Sequence, residues 1–140
     1  MIITNNLNLP SPFVKMAQIE YEQESNEYRV TQLLRGVRET ILEKRHKNEI
    51  TMDVADMIWL LFGTAVHNVL EHQAKADDEL REQRIKIDIG EYILSGQFDL
   101  FNESTKTITD YKTCSVWKVM FGDYSDWRKQ LNIYAYMLKK

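Results

Sequence analysis

The sequence predicts a single α+β (mixed α/β) domain spanning residues 1–140, and three observations support this prediction. Apolar residues in the first half repeat at helical spacing, isoleucines at 85, 87 and 89 alternate with charged residues as in a strand, and the C-terminal residues return to a helical pattern. The 140 residues are 44% hydrophobic and 28% charged, a globular composition that excludes a disordered or fibrous chain.

The first half of the chain is predicted to be an irregular arm followed by two helices. Residues 1–28 form the arm, because Pro10 and Pro12 each disfavour helix in front of them. Thr31 is a suitable N-cap for a helix over residues 32–47. Asp53 can likewise cap a long helix over residues 54–80.

The second half is predicted to be a three-stranded meander followed by a helix. The strands are expected at residues 84–89, 92–101 and 107–113. Ser125 is a suitable N-cap for the last helix, which is expected over residues 126–140.

Charge is distributed unevenly along the chain. The whole sequence carries a formal charge of −3, which excludes a histone-like polycation. Residues 29–47 carry a net +4, residues 71–91 a net −3 and residues 112–140 a net +4. An acidic centre between basic flanks suits a protein that holds metal among carboxylates and meets a polyanion with its cations.

Cysteine content and hydropathy limit the cellular context. Cys114 is the only cysteine, which excludes a disulfide framework and a four-cysteine metal cluster. The longest apolar run, residues 57–62, is too short to cross a bilayer, and the N-terminus lacks the pattern of a signal peptide. We therefore expect a cytoplasmic protein without a membrane partner.

Three charged residues lie on predicted strands. Asp110 and Lys112 are two apart and share a face, and a short hairpin brings Asp99 beside Asp110. Neighbouring carboxylates repel unless a cation lies between them, and oxygen ligands favour Mg²⁺ or Mn²⁺. Lys112 would then steady a bound water or a phosphoryl oxygen. The alternative is a solvated strand face with a cross-strand ion pair.

Two pairs of helical residues add candidates. His67 and Glu71 are four apart and share a helix face, as do Gln130 and Tyr134. An amide and a phenol projecting together can contact a phosphate or a base. The alternatives are an ordinary packed or surface histidine and a half-buried aromatic residue.

Four motifs occur in a fixed order: Gly63-Thr-x-x-His67-x-x-x-Glu71, Gly96-Gln-Phe-Asp99, Asp110-Tyr-Lys112 and Gln130-x-x-x-Tyr134. Together they resemble the PD-(D/E)XK nuclease superfamily, in particular the RecB-type branch with phage recombination exonucleases and CRISPR-associated exonucleases. The resemblance covers about residues 29–140. It implies a restriction-endonuclease-like core, with helices flanking a small mixed sheet, and a DNA-hydrolysing exonuclease that uses one or two Mg²⁺ or Mn²⁺ ions.

The resemblance also implies roles for individual residues. The metal ligands would be His67, Asp99, Asp110 and the main-chain carbonyl of Tyr111. Lys112 would be the catalytic lysine and would act together with the two aspartates.

Nucleic-acid contacts and supporting residues complete the expected site. By resemblance Gln130 and Tyr134 would face DNA; Glu71 and Glu82 would support the ligands from outside the metal shell. The basic helix adds Arg35 and Arg38 as DNA contacts. Trp117 and Trp127 are expected to stack on bases or to act as core or interface anchors.

The sequence departs from the family in two respects. Iron–sulfur members need four cysteines, so the single Cys114 excludes such a cluster. The family core also continues beyond the last helix, so we expect a natural short form, a fragment of a longer protein, or a homo-oligomer or partner chain that completes the fold. Two other functions stay open: a nucleic-acid-binding module that does not cleave, and a subunit of a larger phage or mobile-element assembly.

Overall fold

The computed structural model describes residues 1–19, 24–74 and 76–140 and has the α+β architecture that the sequence predicts. Within these ranges the helices are α1 (Ser11–Ala17), α2 (Val30–Leu33), α3 (Val37–Arg45), α4 (Ile58–Glu71), α5 (Val116–Phe121) and α6 (Ser125–Met137), with a 3₁₀ turn at Val54–Met57. The strands are β1 (Ile2–Thr4), β2 (Glu27–Arg29), β3 (Thr51–Asp53), β4 (Glu79–Ile89), β5 (Tyr92–Asn102) and β6 (Thr107–Thr109). No helix of the described ranges has the length and apolar character needed to cross a membrane.

Strand β5 is the centre of a mixed sheet. β4 pairs with β5 antiparallel along the length of both strands. The turn that joins them contains Gly90, whose φ of +63° glycine adopts without strain. Two short strands pair with the opposite edge of β5. β2 pairs in parallel with the part of β5 that begins at Ile93, and β6 pairs antiparallel with the part that begins at Leu100. The predicted meander is therefore confirmed, and β2 extends it into a four-stranded sheet.

Helix α6 packs on the sheet through an apolar core. The buried members of this core are Val30, Leu94, Phe98, Tyr134 and Met137. Gly96 permits the close approach of α6, because a Cβ at this position would lie 2.6 Å from Tyr134 Cε1. The ring of Tyr134 therefore packs directly against β5.

An ion pair joins β2 to the far strand of the sheet. Glu27 is 2% exposed, and its carboxylate accepts a hydrogen bond from Lys86 Nζ at 3.0 Å. Hydrogen bonds from the Ser95 hydroxyl and from Lys86 outweigh burial and lower the pKa of Glu27 to about 2. The carboxylate therefore stabilises the docked position of β2 while it is ionised.

The N-terminal region is more ordered than the sequence predicts. Residues 1–28 were expected to form an irregular arm, yet they contain β1, α1 and β2. Pro12 lies in the first turn of α1, where a missing N–H costs nothing, so proline here starts a helix. β1 pairs in parallel with β3, and α1 packs on α4 through a second buried cluster: Ala17, Val54, Met57 and Leu61.

Both predicted N-terminal helices are shorter than expected. The helix expected over residues 32–47 is divided into α2 and α3 by Gly36, whose extended backbone (φ −62°, ψ 134°) precedes α3. The helix expected over residues 54–80 ends at Glu71, because the chain from Glu79 pairs with β5 instead.

The C-terminal elements also differ from the prediction in their bounds. The third strand ends at Thr109 rather than at residue 113, so Asp110 and Lys112 follow the strand instead of lying on it. The predicted loop contains the short helix α5, and the last helix runs over Ser125–Met137. Asp123 contributes to the start of α6 by accepting hydrogen bonds from Ser125 N and Oγ.

Candidate metal centre

A cavity of about 490 Å³ lies between α4 and the residues that follow β6. Its polar lining includes His67, Glu71, Glu82, Gln97, Tyr111 and Lys112. Gly63 allows the segment that follows β6 to lie close to α4, because a Cβ at this position would be 2.9 Å from Thr113 Oγ1. The cavity thus brings together parts of three of the four sequence motifs.

Three ligand-type side chains converge beside this cavity; His67 and Glu82 line it, and Asp99 lies buried behind them. His67 Nδ1 lies 3.2 Å from Asp99 Oδ1 and 3.3 Å from Glu82 Oε1. One donor atom from each of these residues lies within 4.8 Å of the others, which is close enough to bind one cation. Carboxylate oxygens suit a hard divalent ion such as Mn²⁺ or Mg²⁺, and the imidazole nitrogen favours Mn²⁺ of these two.

Glu82 reaches this group through an unusual backbone conformation. Its φ is +47° in the middle of β4, a left-handed conformation that a glutamate adopts only at a cost of about 1–3 kcal/mol. Its neighbours keep regular pairing, with Arg81 opposite Leu100 and Gln83 opposite Phe98, so Glu82 occupies the position across from Asp99. Gln97 Nε2 donates to Glu82 Oε2 at 2.8 Å and fixes the carboxylate at the cavity.

The Asp99 carboxyl is the most buried of the three, with 8% of its surface exposed. Burial raises its pKa, and the neighbouring carboxylates of Asp110 and Glu82 raise it further; the Tyr111 N–H and His67 act in the opposite direction. The Tyr111 N–H donates to Asp99 Oδ2 and orients the carboxylate. The electrostatic cost of ionising this group is one that a bound cation would offset.

A chain of polar contacts leads from α6 to Lys112. Lys112 Nζ lies 2.7 Å from Asp110 Oδ2, and Gln130 Nε2 donates to Asp110 Oδ1 at 3.4 Å and to the Tyr134 hydroxyl at 2.9 Å. Gln130 and Tyr134 are 6% and 2% exposed. Both side chains are buried, and Gln130, itself bonded to Tyr134, holds the aspartate that pairs with the lysine; their contact with nucleic acid stays a prediction.

The structure brings together some predicted ligands and not others. His67 and Asp99 are adjacent as predicted, whereas Asp110 contacts Lys112 and Gln130 and lies outside the compact three-residue group. Glu82 belongs to this compact group, although the sequence suggested only a supporting role for it. Tyr111 contributes its N–H to Asp99, and metal binding by its carbonyl stays a prediction.

Glu71 was predicted to support the ligands from outside the metal shell, and this role stays a prediction. The residue is exposed and lines the cavity wall, and the described polar contacts of His67 are with Glu82 and Asp99. The helical spacing of His67 and Glu71 is correct, but the sheet offers the histidine closer carboxylates.

The predicted basic and aromatic contacts lie outside the cavity lining. Arg35 is exposed and paired with Glu43 at 2.7 Å, and Arg38 is exposed on α3. Trp117 is a surface residue stacked on Phe121, and Trp127 is half-buried with Lys118 Nζ 5.4 Å from its ring centre. Trp117 is therefore not a core anchor.

Comparison with known proteins shows a similarity in fold. No protein-family model and no curated protein matches the chain. The solved crystal structure of SSO0001 is similar in fold, with a TM-score of 0.66 and 20% sequence identity over 92% of this chain. The chain spans 63% of the length of that structure. At this identity the similarity extends to the fold alone.

Proposed function

We propose that this chain is a metal-dependent deoxyribonuclease of the PD-(D/E)XK type, related to the RecB-type exonucleases. The convergence of His67, Glu82 and Asp99, with the Asp110–Lys112 pair in the same region, is the observation that carries the proposal. The ordered motifs of the sequence support it independently. Exonuclease rather than endonuclease action, and a cytoplasmic location in a bacterial or phage-infected cell, are proposed on the sequence resemblance.

The donor set fits a divalent cation. His67 and Asp99 would hold the ion, Glu82 is placed to join them, and Asp110 would need to exchange its contact with Lys112 to do so. When bound, the ion would neutralise phosphate charge and acidify a water. Buried Asp99 and the left-handed Glu82 are unfavourable arrangements by themselves, which is expected of a site shaped for a ligand.

Lys112 is positioned for an electrostatic role at a phosphate. Its side chain is 31% exposed at the cavity, while the partner carboxylate of Asp110 is 6% exposed. The buried carboxylate keeps the ammonium near the ligand group, and the exposed part of the lysine is available to a phosphate oxygen. Gln130 and Tyr134 act through Asp110 and are positioning residues.

The test is cleavage of end-labelled linear and closed circular DNA in Mn²⁺, Mg²⁺ or EDTA. We expect metal-dependent loss of the linear substrate, abolished in Lys112→Ala and retained in the matched control Lys15→Ala, an exposed lysine of α1. Undiminished cleavage by Lys112→Ala would contradict the proposed role of the lysine. DNA binding without cleavage in any metal would instead support the non-cleaving binding module.

A further inference from the structure

A second groove lies beside the metal cavity. Its volume is about 740 Å³, and its apolar walls are Trp59 and Phe62 from α4 and Val116 and Val119 from α5. Trp59, Lys112 and Thr113 line both this groove and the metal cavity. The two spaces are therefore adjacent, and a ligand in the groove would lie beside whatever occupies the cavity.

The aromatic side chains of the groove are unusually exposed. Trp59 is 77% and Phe62 54% exposed, although both belong to a helix that packs on α1. Their rings meet edge to face at 86°, with centroids 6.4 Å apart. This arrangement leaves flat ring surface open to a planar ligand, and stacking of bases on aromatic rings is a general mode of single-strand binding.

The charge of the groove favours a polyanion with apolar faces. Among the described residues that line it, Lys112 is the one charged side chain, whereas Glu71 and Glu82 line the metal cavity instead. The ammonium of Lys112 is also paired with Asp110 at 2.7 Å, so the positive charge that the groove offers is that of one partly neutralised lysine. A protein seated here would cover Lys112 and obstruct the cavity, whereas a nucleic acid can occupy both spaces at once.

We propose that unpaired bases of single-stranded DNA stack on Trp59 and Phe62 in this groove while the adjoining backbone enters the metal cavity. The identity of the ligand rests on the proposed nuclease function. In a duplex the faces of each base are covered by its neighbours, so an aromatic wall beside the cavity selects an unpaired strand. The chain is thereby assigned a preference for single-stranded over blunt double-stranded DNA.

The test measures binding in EDTA, so it does not depend on cleavage. Fluorescence anisotropy follows a labelled thymidine oligonucleotide and a blunt duplex with the wild type, Trp59→Ala, Trp59→Phe and Trp117→Ala. Trp117 is the matched control, an exposed tryptophan of α5 that does not line the groove. We expect Trp59→Ala to weaken single-strand binding about ten-fold or more, Trp59→Phe to recover most of the loss, and Trp117→Ala to have little effect.

An oligonucleotide with abasic sites separates base stacking from phosphate contacts. Wild type and Trp59→Ala should bind it equally weakly, because its backbone charge is intact and its bases are missing. Equal loss for Trp59→Ala on abasic and normal strands, or no loss on either, would overturn the proposal. So would sedimentation showing that Trp59→Ala dissociates an oligomer without changing DNA affinity, which would make the groove an interface between copies.

Failure of the stacking proposal is distinguishable from failure of the nuclease proposal. If only the stacking is wrong, the wild type still cleaves with Mn²⁺ and Trp59→Ala cleaves single strands equally well. If only the nuclease function is wrong, the wild type does not cleave, and the Trp59-dependent binding in EDTA persists.

Discussion

Gly96→Ala places a methyl group between β5 and the α6 residue that supports the site. The new Cβ would lie 2.6 Å from Tyr134 Cε1 and 3.0 Å from Val30 Cγ2. Carbon atoms in contact are normally about 3.5–4.0 Å apart, so the ring must move by about 1 Å. Tyr134 is 2% exposed and its hydroxyl accepts from Gln130, so the movement disturbs the residue that holds Asp110.

The size of the effect follows from two opposing contributions. Overpacking of a filled core costs about 1–3 kcal/mol, and a weakened Gln130–Tyr134 hydrogen bond costs about 1 kcal/mol. Alanine in a strand regains about 0.5–1 kcal/mol relative to glycine. We expect the free energy of unfolding to fall by about 2 kcal/mol, and metal-dependent cleavage to fall with it because Lys112 loses a fixed partner.

Urea denaturation provides the assay, with Gly36→Ala as the matched control. A Cβ at Gly36 meets nothing within 4 Å, so that substitution should change stability by less than about 0.5 kcal/mol. Tyr134→Ala removes the ring, so the double variant Gly96→Ala/Tyr134→Ala should lose less than the sum of the single variants. Additive losses, or a Gly96→Ala protein as stable as the wild type, would refute the reasoning.

Three further predictions concern the His67–Glu82–Asp99 group and the ion pair of Glu27 in the sheet. His67→Ala should lower Mn²⁺ affinity in calorimetry about ten-fold or more, whereas His46→Ala, at a half-buried histidine outside the cavity lining, should leave it unchanged; equal affinities would contradict the ligand assignment. Glu82→Gly should be more stable without metal than Glu82→Ala by about 1 kcal/mol, because both variants lose the contacts of the carboxylate and only glycine tolerates a φ of +47°, and both should bind Mn²⁺ more weakly; a Glu82→Gly protein no more stable than Glu82→Ala would show that the conformation carries no strain. Because the pKa of Glu27 is lowered to about 2 from an ordinary 4.5, its contribution is present above pH 4.5 and lost as pH falls through 2. Glu27→Gln should therefore remove up to about 3 kcal/mol of stability at neutral pH, and its stability should change less than that of the wild type between pH 4.5 and 2. Equal urea midpoints for the two proteins at neutral pH would contradict this prediction.

The sequence predicts the parts of the site that depend on local spacing. Alternating residues define the hairpin, and the pairing of Leu100 with Thr109 does place Asp99 across from the residue that follows β6, Asp110. Helical spacing likewise identifies His67 as a functional candidate. These relations follow from strand and helix periods, which short-range sequence patterns report.

Other features depend on tertiary packing. The i, i+4 spacing shows that Gln130 and Tyr134 share a helix face. The burial of that face depends on Gly96 of β5, which allows the helix to pack closely on the sheet. The left-handed conformation of Glu82 has no signal in the sequence, since its residue type disfavours it. β1 is missed for a similar reason, because its partner β3 is remote in the chain.

The contacts of the candidate site are short in sequence, and those of β2 are long. Residue separations within the site range from 12 for Tyr111–Asp99 to 32 for His67–Asp99, against 59 for the Lys86–Glu27 ion pair. Closing a longer loop costs more entropy, and nonlocal pairing slows folding. We therefore expect the His67–Glu82–Asp99 group to assemble before β2 docks, and native-state amide exchange should detect opening of β2 while the β4–β5 hairpin stays protected.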